Sequence, residues 1–176
     1  MKRTWLVIAV LVVLTGVVIY QNVGHQSVIA QQSEDTKPKT GNAAPVLDLP
    51  NLEDHPVTVA GERDKLLLLN FWASWCGPCE LEAPDLQALH EEHGDRIDLY
   101  AINATKYDKE RQAREFVDNF GLTFPILMDR EGKAVEMYKI GQFPSTLLID
   151  AEGIIRERVT GVISKAEWEQ LIDKWS

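Results

Sequence analysis

The chain has 176 residues, 45% of them hydrophobic and 26% charged, with a formal net charge of −9 and only two cysteines. That length leaves room for one domain of ordinary size plus an appendage, and the composition can build a core without structural disulfides or metal. From Ala43 onward 14 basic residues face 25 acidic ones, a balance that disfavours nucleic acid and is repelled by anionic lipid headgroups.

Behind Lys2 and Arg3 an uncharged apolar run extends from Thr4 to Tyr20, which reaches the roughly 17 residues a helix needs to cross a bilayer. No Lys or Arg follows until Lys37, so the positive-inside bias keeps the N-terminus cytoplasmic and sends the remainder outside. A cleaved signal peptide is the alternative, with the small residues of "VIA" (Val28 to Ala30) as its cleavage site. The run is long for a signal core and that site lies far beyond it, which favours a retained anchor. The expected organisation is a single-pass membrane anchor over residues 1–22, a polar tether over 23–42 and a folded domain over 43–176. No cysteine follows the apolar run, so a lipoprotein is excluded.

Within the domain, "KLLLLNFWA" (Lys65 to Ala73) is an apolar run of strand length, the pattern of a strand buried on both faces. "ELEAPDLQALHEEHG" reads as a helix with Leu86 and Leu89 inward, Pro84 kinking it and Gly94 ending it. "IDLYAIN" alternates as a strand. "DKERQAREFVDNFG" sets Ala113, Phe116, Val117 and Phe120 on one helical stripe, with Asp108 as the expected N-cap and Gly121 as the stop. "STLLID" and "GIIRERVTG" are strands joined by the turn Asp150-Ala151-Glu152-Gly153, which suits an antiparallel hairpin. A last helix opens with Ser164 and Glu167 in capping-box spacing. Strands alternating with helices and closing on a hairpin make an α/β fold with a mixed sheet covered by helices. In such a sheet, chemistry collects at the carboxyl ends of the strands.

Both cysteines lie there, in "FWASWCGPC". Cys76 and Cys79 are two residues apart at a helix start, so their side chains share a face and can close a disulfide. A bridge over so short a loop constrains the unfolded chain little, which points to opening and closing as its purpose. The oriented N–H groups of the helix favour Cys76 as the attacking thiolate, and Cys79 would resolve the mixed disulfide. Metal is the rival, but a tetrahedral site needs two more ligands and the chain has no third cysteine. His90 and His93 follow about three helical turns later, roughly 15 Å away, too far to join them.

The motif resembles the active site of the thioredoxin superfamily, and the likeness extends over nearly the whole domain. "GQFPSTLLID" is similar to the family's cis-proline strand start, which implies a cis bond before Pro144 and a substrate-binding surface made by Trp75, Phe143 and Pro144. The details resemble the membrane-tethered ResA/TlpA branch, which implies a thioredoxin-like fold with an N-terminal strand extension ("APVLDLPNLEDHPVTVA") and a central insertion ("ATKYDKERQAREFVDNFGLTFPILMD"). Where cytoplasmic thioredoxins carry a buried aspartate this chain has Asn70, which cannot accept a proton. In the ResA-like branch a glutamate three residues after the second cysteine takes the acidic role, and Glu82 stands there. Glu82 also lies one turn beyond Cys79 on the same face, where burial would raise its pKa enough to move a proton. An exposed surface glutamate is the plainer reading of the same residue. ResA proteins often carry Glu between the cysteines, whereas this chain has Gly77 and Pro78, which leaves the client open.

No cation lies between the cysteines, and Glu80, Glu82 and Asp85 cluster beside them. Negative neighbours oppose the thiolate and favour the disulfide, the signature of a reductant. No nucleotide-binding glycine motif is present and no cofactor is expected, so electrons must come from a partner. The resemblance implies a CcdA-like or DsbD-like membrane donor, and apocytochrome c as client, with general disulfide repair and a sporulation-linked role beside it. A non-redox scaffold on the same fold is the alternative from another class. A peroxiredoxin-type peroxidase shares the opening but places its cysteine differently.

Overall fold

The computed structural model describes residues 38–176. The expected anchor and most of the tether lie outside them. Among the described residues no helix is long and apolar enough to cross a membrane.

Two strands, β1 (Leu47–Pro50) and β2 (Pro56–Val59), form an antiparallel pair, the N-terminal strand extension implied by the resemblance. The main sheet has five strands: β3 (Leu66–Trp72), β4 (Ile97–Asn103), β5 (Ile126–Met128), β6 (Ser145–Ile149) and β7 (Ile155–Thr160). Their order is β5-β4-β3-β6-β7, parallel across β5-β4-β3 and antiparallel across β3-β6-β7. Among the described residues four α-helices accompany them, α1 (Gly77–His93), α2 (Glu110–Phe120), α3 (Lys133–Met137) and α4 (Lys165–Trp175), with a short 3-10 turn at Thr105–Tyr107.

The central strand explains the layers. Every residue of β3 is buried, and its side chains alternate between two separate cores. Leu66, Leu68 and Trp72 pack with α1, α2 and α4, whereas Leu67, Leu69 and Phe71 pack with Tyr138, Ala134 and the β1-β2 pair. This is the all-apolar pattern of a strand covered on both sides.

Several boundaries have visible causes. Gly121 closes α2 in the left-handed conformation at φ 60°, and Ser164 and Glu167 form a complete capping box on α4. Gly94 does follow the last turn of α1 but in a right-handed conformation at φ −61°. Glycine is required there for space, since a Cβ would stand 2.9 Å from the His90 carbonyl oxygen. The Lys65 ammonium donates to the Gly94 carbonyl at 2.6 Å, placing a cation at the negative end of the helix. Pro84 sits inside α1 without ending it. Asp108 is not the N-cap of α2: Lys109 takes that place, because the Asp108 carboxylate is turned toward other donors. Helix α3 carried no sequence expectation. It is only five residues long, too short for a periodic stripe to show.

Candidate active site

The end of β3 delivers the cysteines. The Cys76 N–H donates to the Ala73 carbonyl at 3.1 Å, closing a turn whose middle residues are Ser74 and Trp75. Cys76 is the N-cap of α1, and its sulfur accepts from the Cys79 N–H at 3.2 Å. Gly77 and Pro78 open the helix, where a proline costs nothing because the first N–H groups have no helical partner. Cys76 and Cys79 are joined in a disulfide with Cα atoms 5.2 Å apart. The pair is nearly covered, with 5% and 2% of the two residues exposed.

One turn further along α1, Glu82 points inward and is only 2% exposed, so the surface-glutamate reading does not hold. The Asn70 amide donates to its Oε1 at 2.7 Å, while Oε2 finds no partner among the described residues. Burial pushes the Glu82 pKa from 4.5 up to about 7, against a smaller downward pull from the Asn70 hydrogen bond. Glu82, Asn70 and Cys79 line one small cavity of about 10 Å³, the size of a single water molecule. The amide at position 70 accepts no proton, yet it has a use the sequence did not disclose. From the centre of β3 it donates to Glu82 and, at 2.9 Å, to Thr146 of β6, tying the carboxyl to the sheet.

Trp75 is 60% exposed, and its ring meets Phe143 edge-on with centroids 5.9 Å apart. The Phe143–Pro144 peptide is cis, Pro144 is buried, and the Pro144 carbonyl accepts from the Gly161 N–H at 2.9 Å. Thus Trp75 and the Phe143–Pro144 segment meet, although 68 positions separate Trp75 from Phe143. Sequence reasoning missed the support on the opposite side. The Trp75 indole N–H donates to the Tyr107 carbonyl at 3.0 Å, and Asp108 binds Ser74.

Metal chemistry finds little room. His90 packs edge-on against Phe124 at 5.8 Å, while His93 lies 3.4 Å from Glu169, so the two histidines face different neighbours. Glu92, His93 and Glu169 do come together. The Lys165 ammonium already bridges Glu92 and Glu169, neutralising the charge a cation would need.

A disulfide at a helix tip is thus flanked by a cis-proline segment and backed by a buried carboxyl. A model of the AhpC/TSA family matches residues 40–158. The chain belongs to the AhpC/TSA family. The thioredoxin-like protein YneN of Bacillus subtilis (strain 168) is 34% identical, covering 98% of this chain and 99% of its own. The thiol-disulfide oxidoreductase ResA of Geobacillus kaustophilus (strain HTA426) is 31% identical over 95% of this chain and 91% of its own. Among solved structures, StoA from Bacillus subtilis superposes with a TM-score of 0.63 at 27% identity, covering 73% of this chain and 95% of that one. The fold is thioredoxin-like, and this AhpC/TSA member is a thiol-disulfide oxidoreductase that carries a Cys76–Cys79 disulfide.

Proposed function

We propose that the protein reduces disulfides of proteins on the outer side of the cytoplasmic membrane, held there by residues 1–22. The Cys76 thiolate attacks one sulfur of the client disulfide, and the other client sulfur leaves as thiolate. Cys79 passes its proton to the Glu82 carboxylate and attacks the Cys76 sulfur, releasing the second client sulfur. The client gains two electrons, and the protein is left as the Cys76–Cys79 disulfide. Trp75, Phe143 and Pro144 form the surface on which the client lies. A CcdA-like or DsbD-like membrane protein then returns two electrons, and tethering keeps donor and acceptor at high local concentration.

The observation that carries this reading is Glu82. It is a buried carboxyl whose pKa burial pushes up to about 7, on the same helix face as Cys79, and one of its oxygens has no partner among the described residues. Such a group exchanges protons with a thiol at neutral pH, and its negative form disfavours a neighbouring thiolate. The disulfide is then the comfortable state, as a reductant requires. Apocytochrome c, with its own closely spaced cysteine pair, is the client we favour. Equilibration with a dithiol of known potential tests the direction: we expect a value nearer thioredoxin, about −270 mV, than DsbA, about −120 mV. A value at the oxidising end would overturn the reductant assignment. Trapping with Cys79→Ser in cells tests the client, and an apocytochrome bonded to Cys76 is the expected product.

A further inference from the structure

Asp108 lies outside the cysteine motif, in the stretch between β4 and α2. Its carboxylate accepts four hydrogen bonds. Oδ1 takes Ser74 Oγ at 2.6 Å and the Lys109 N–H at 2.7 Å. Oδ2 takes the Ser74 N–H at 2.6 Å and Asn103 Nδ2 at 2.8 Å. These donors come from three segments: the loop ahead of Cys76, the last residue of β4 and the start of α2. A planar acceptor with two lone pairs on each oxygen can satisfy all four, and a carboxylate is the side chain that does so.

Ser74 is no arbitrary partner. It is the first middle residue of the turn that the Cys76 N–H closes on Ala73, and Asp108 holds it at both backbone and hydroxyl. The second middle residue, Trp75, is held by the carbonyl of Tyr107, the neighbour of Asp108. Residues 107 and 108 therefore pin the whole turn that aims Cys76, and through the Trp75–Phe143 ring contact they also set the gap to the Pro144 segment. We infer that Asp108 is a positioning residue for thiol-disulfide exchange, holding the Ser74–Trp75 turn so that the Cys76 sulfur and the Trp75 indole face the incoming disulfide in register.

This inference rests on the exchange chemistry of Cys76 and is independent of client and membrane. Asp108→Asn is the discriminating change. It keeps the shape but puts an NH₂ where one oxygen met two donors, and the backbone N–H groups of Ser74 and Lys109 cannot turn away. Two quantities are measured: kcat/KM for insulin disulfide reduction, and the pH profile of iodoacetamide alkylation of Cys76 in a Cys79→Ser background, where it is the only thiol. Asp108→Asn should lower kcat/KM about tenfold and move the alkylation midpoint by about half a pH unit. Ser74→Ala should lower kcat/KM about threefold, and the double variant should be no worse than Asp108→Asn alone, because both act through one contact. Ile172→Val in the core of α4 serves as the control for general destabilisation. Wild-type values for Asp108→Asn in both measurements would overturn the inference. So would a loss that Ile172→Val reproduces with the alkylation profile unmoved. If Asp108→Asn does not fold, Ser74→Ala decides, and wild-type kinetics there count against the role. Wild-type protein that reduces no insulin would instead tell against the reductase reading, leaving the alkylation profile to judge Asp108.

Discussion

Two carboxylates flank the cysteine pair and are treated in opposite ways. Behind Cys79, Glu82 is buried and, among the described residues, has one hydrogen-bond donor and one oxygen without a partner. Ahead of Cys76, Asp108 receives four donors. An under-bonded buried carboxyl keeps its proton up to about neutral pH, where it can both give and take one. A fully bonded one is fixed and can fix its neighbours. In the roles we propose, the same functional group serves proton traffic on one side of the disulfide and geometry on the other, according to how many donors the fold supplies.

The harshest way to break the comparison removes the bond between the two sides. Cys76→Ser should abolish insulin reduction, and Cys79→Ser should halt it at a stable mixed disulfide seen by mass spectrometry. Glu82→Gln sharpens it. The raised pKa means the folded protein binds a proton more tightly than the unfolded chain between about pH 4.5 and about 7, so stability falls as pH rises through that window. The loss is complete above it. Glu82→Gln removes the slope, so denaturant unfolding should show a gain approaching about 3 kcal/mol at pH 8 and little change at pH 4. The same variant should lower turnover about tenfold at pH 7 and flatten its pH profile. Asn70→Ala removes the single donor to Glu82 and the tie to Thr146. It should cost about 2 kcal/mol and raise the Glu82 pKa further, read as a shift of the activity profile to higher pH. Ser164→Ala, in a cap remote from both carboxylates, should cost about 1 kcal/mol in thermal unfolding and leave that profile in place.

Position along the chain decided what the sequence disclosed. The β3 run, the α2 stripe ending at Gly121 and the Ser164–Glu167 box are local patterns, and each is present where its pattern lies. Cys76 and Cys79 are likewise local. Glu82 could be placed on the face of Cys79 by helical spacing, but its burial depends on Ala101, Phe116 and Phe124, which close over the cavity from β4, α2 and the segment after it. Asn70 read as a vacancy in acid chemistry because its partners, Glu82 and Thr146, are 12 and 76 positions away. Asp108 read as a helix cap for the same reason: its spacing ahead of α2 is right, and only the folded chain brings Ser74 within reach. Side chains whose partners lie on another strand announce little in one dimension.

The central claim is that a carboxyl poised near neutrality stands behind the resolving cysteine, and carbon-detected NMR titration of the Glu82 side chain in the oxidised protein tests it most directly. The account predicts a midpoint near 7, lost in Glu82→Gln and raised in Asn70→Ala. A midpoint near the ordinary 4.5 would show an unburdened surface-like carboxylate and contradict the proton role on which the mechanism turns.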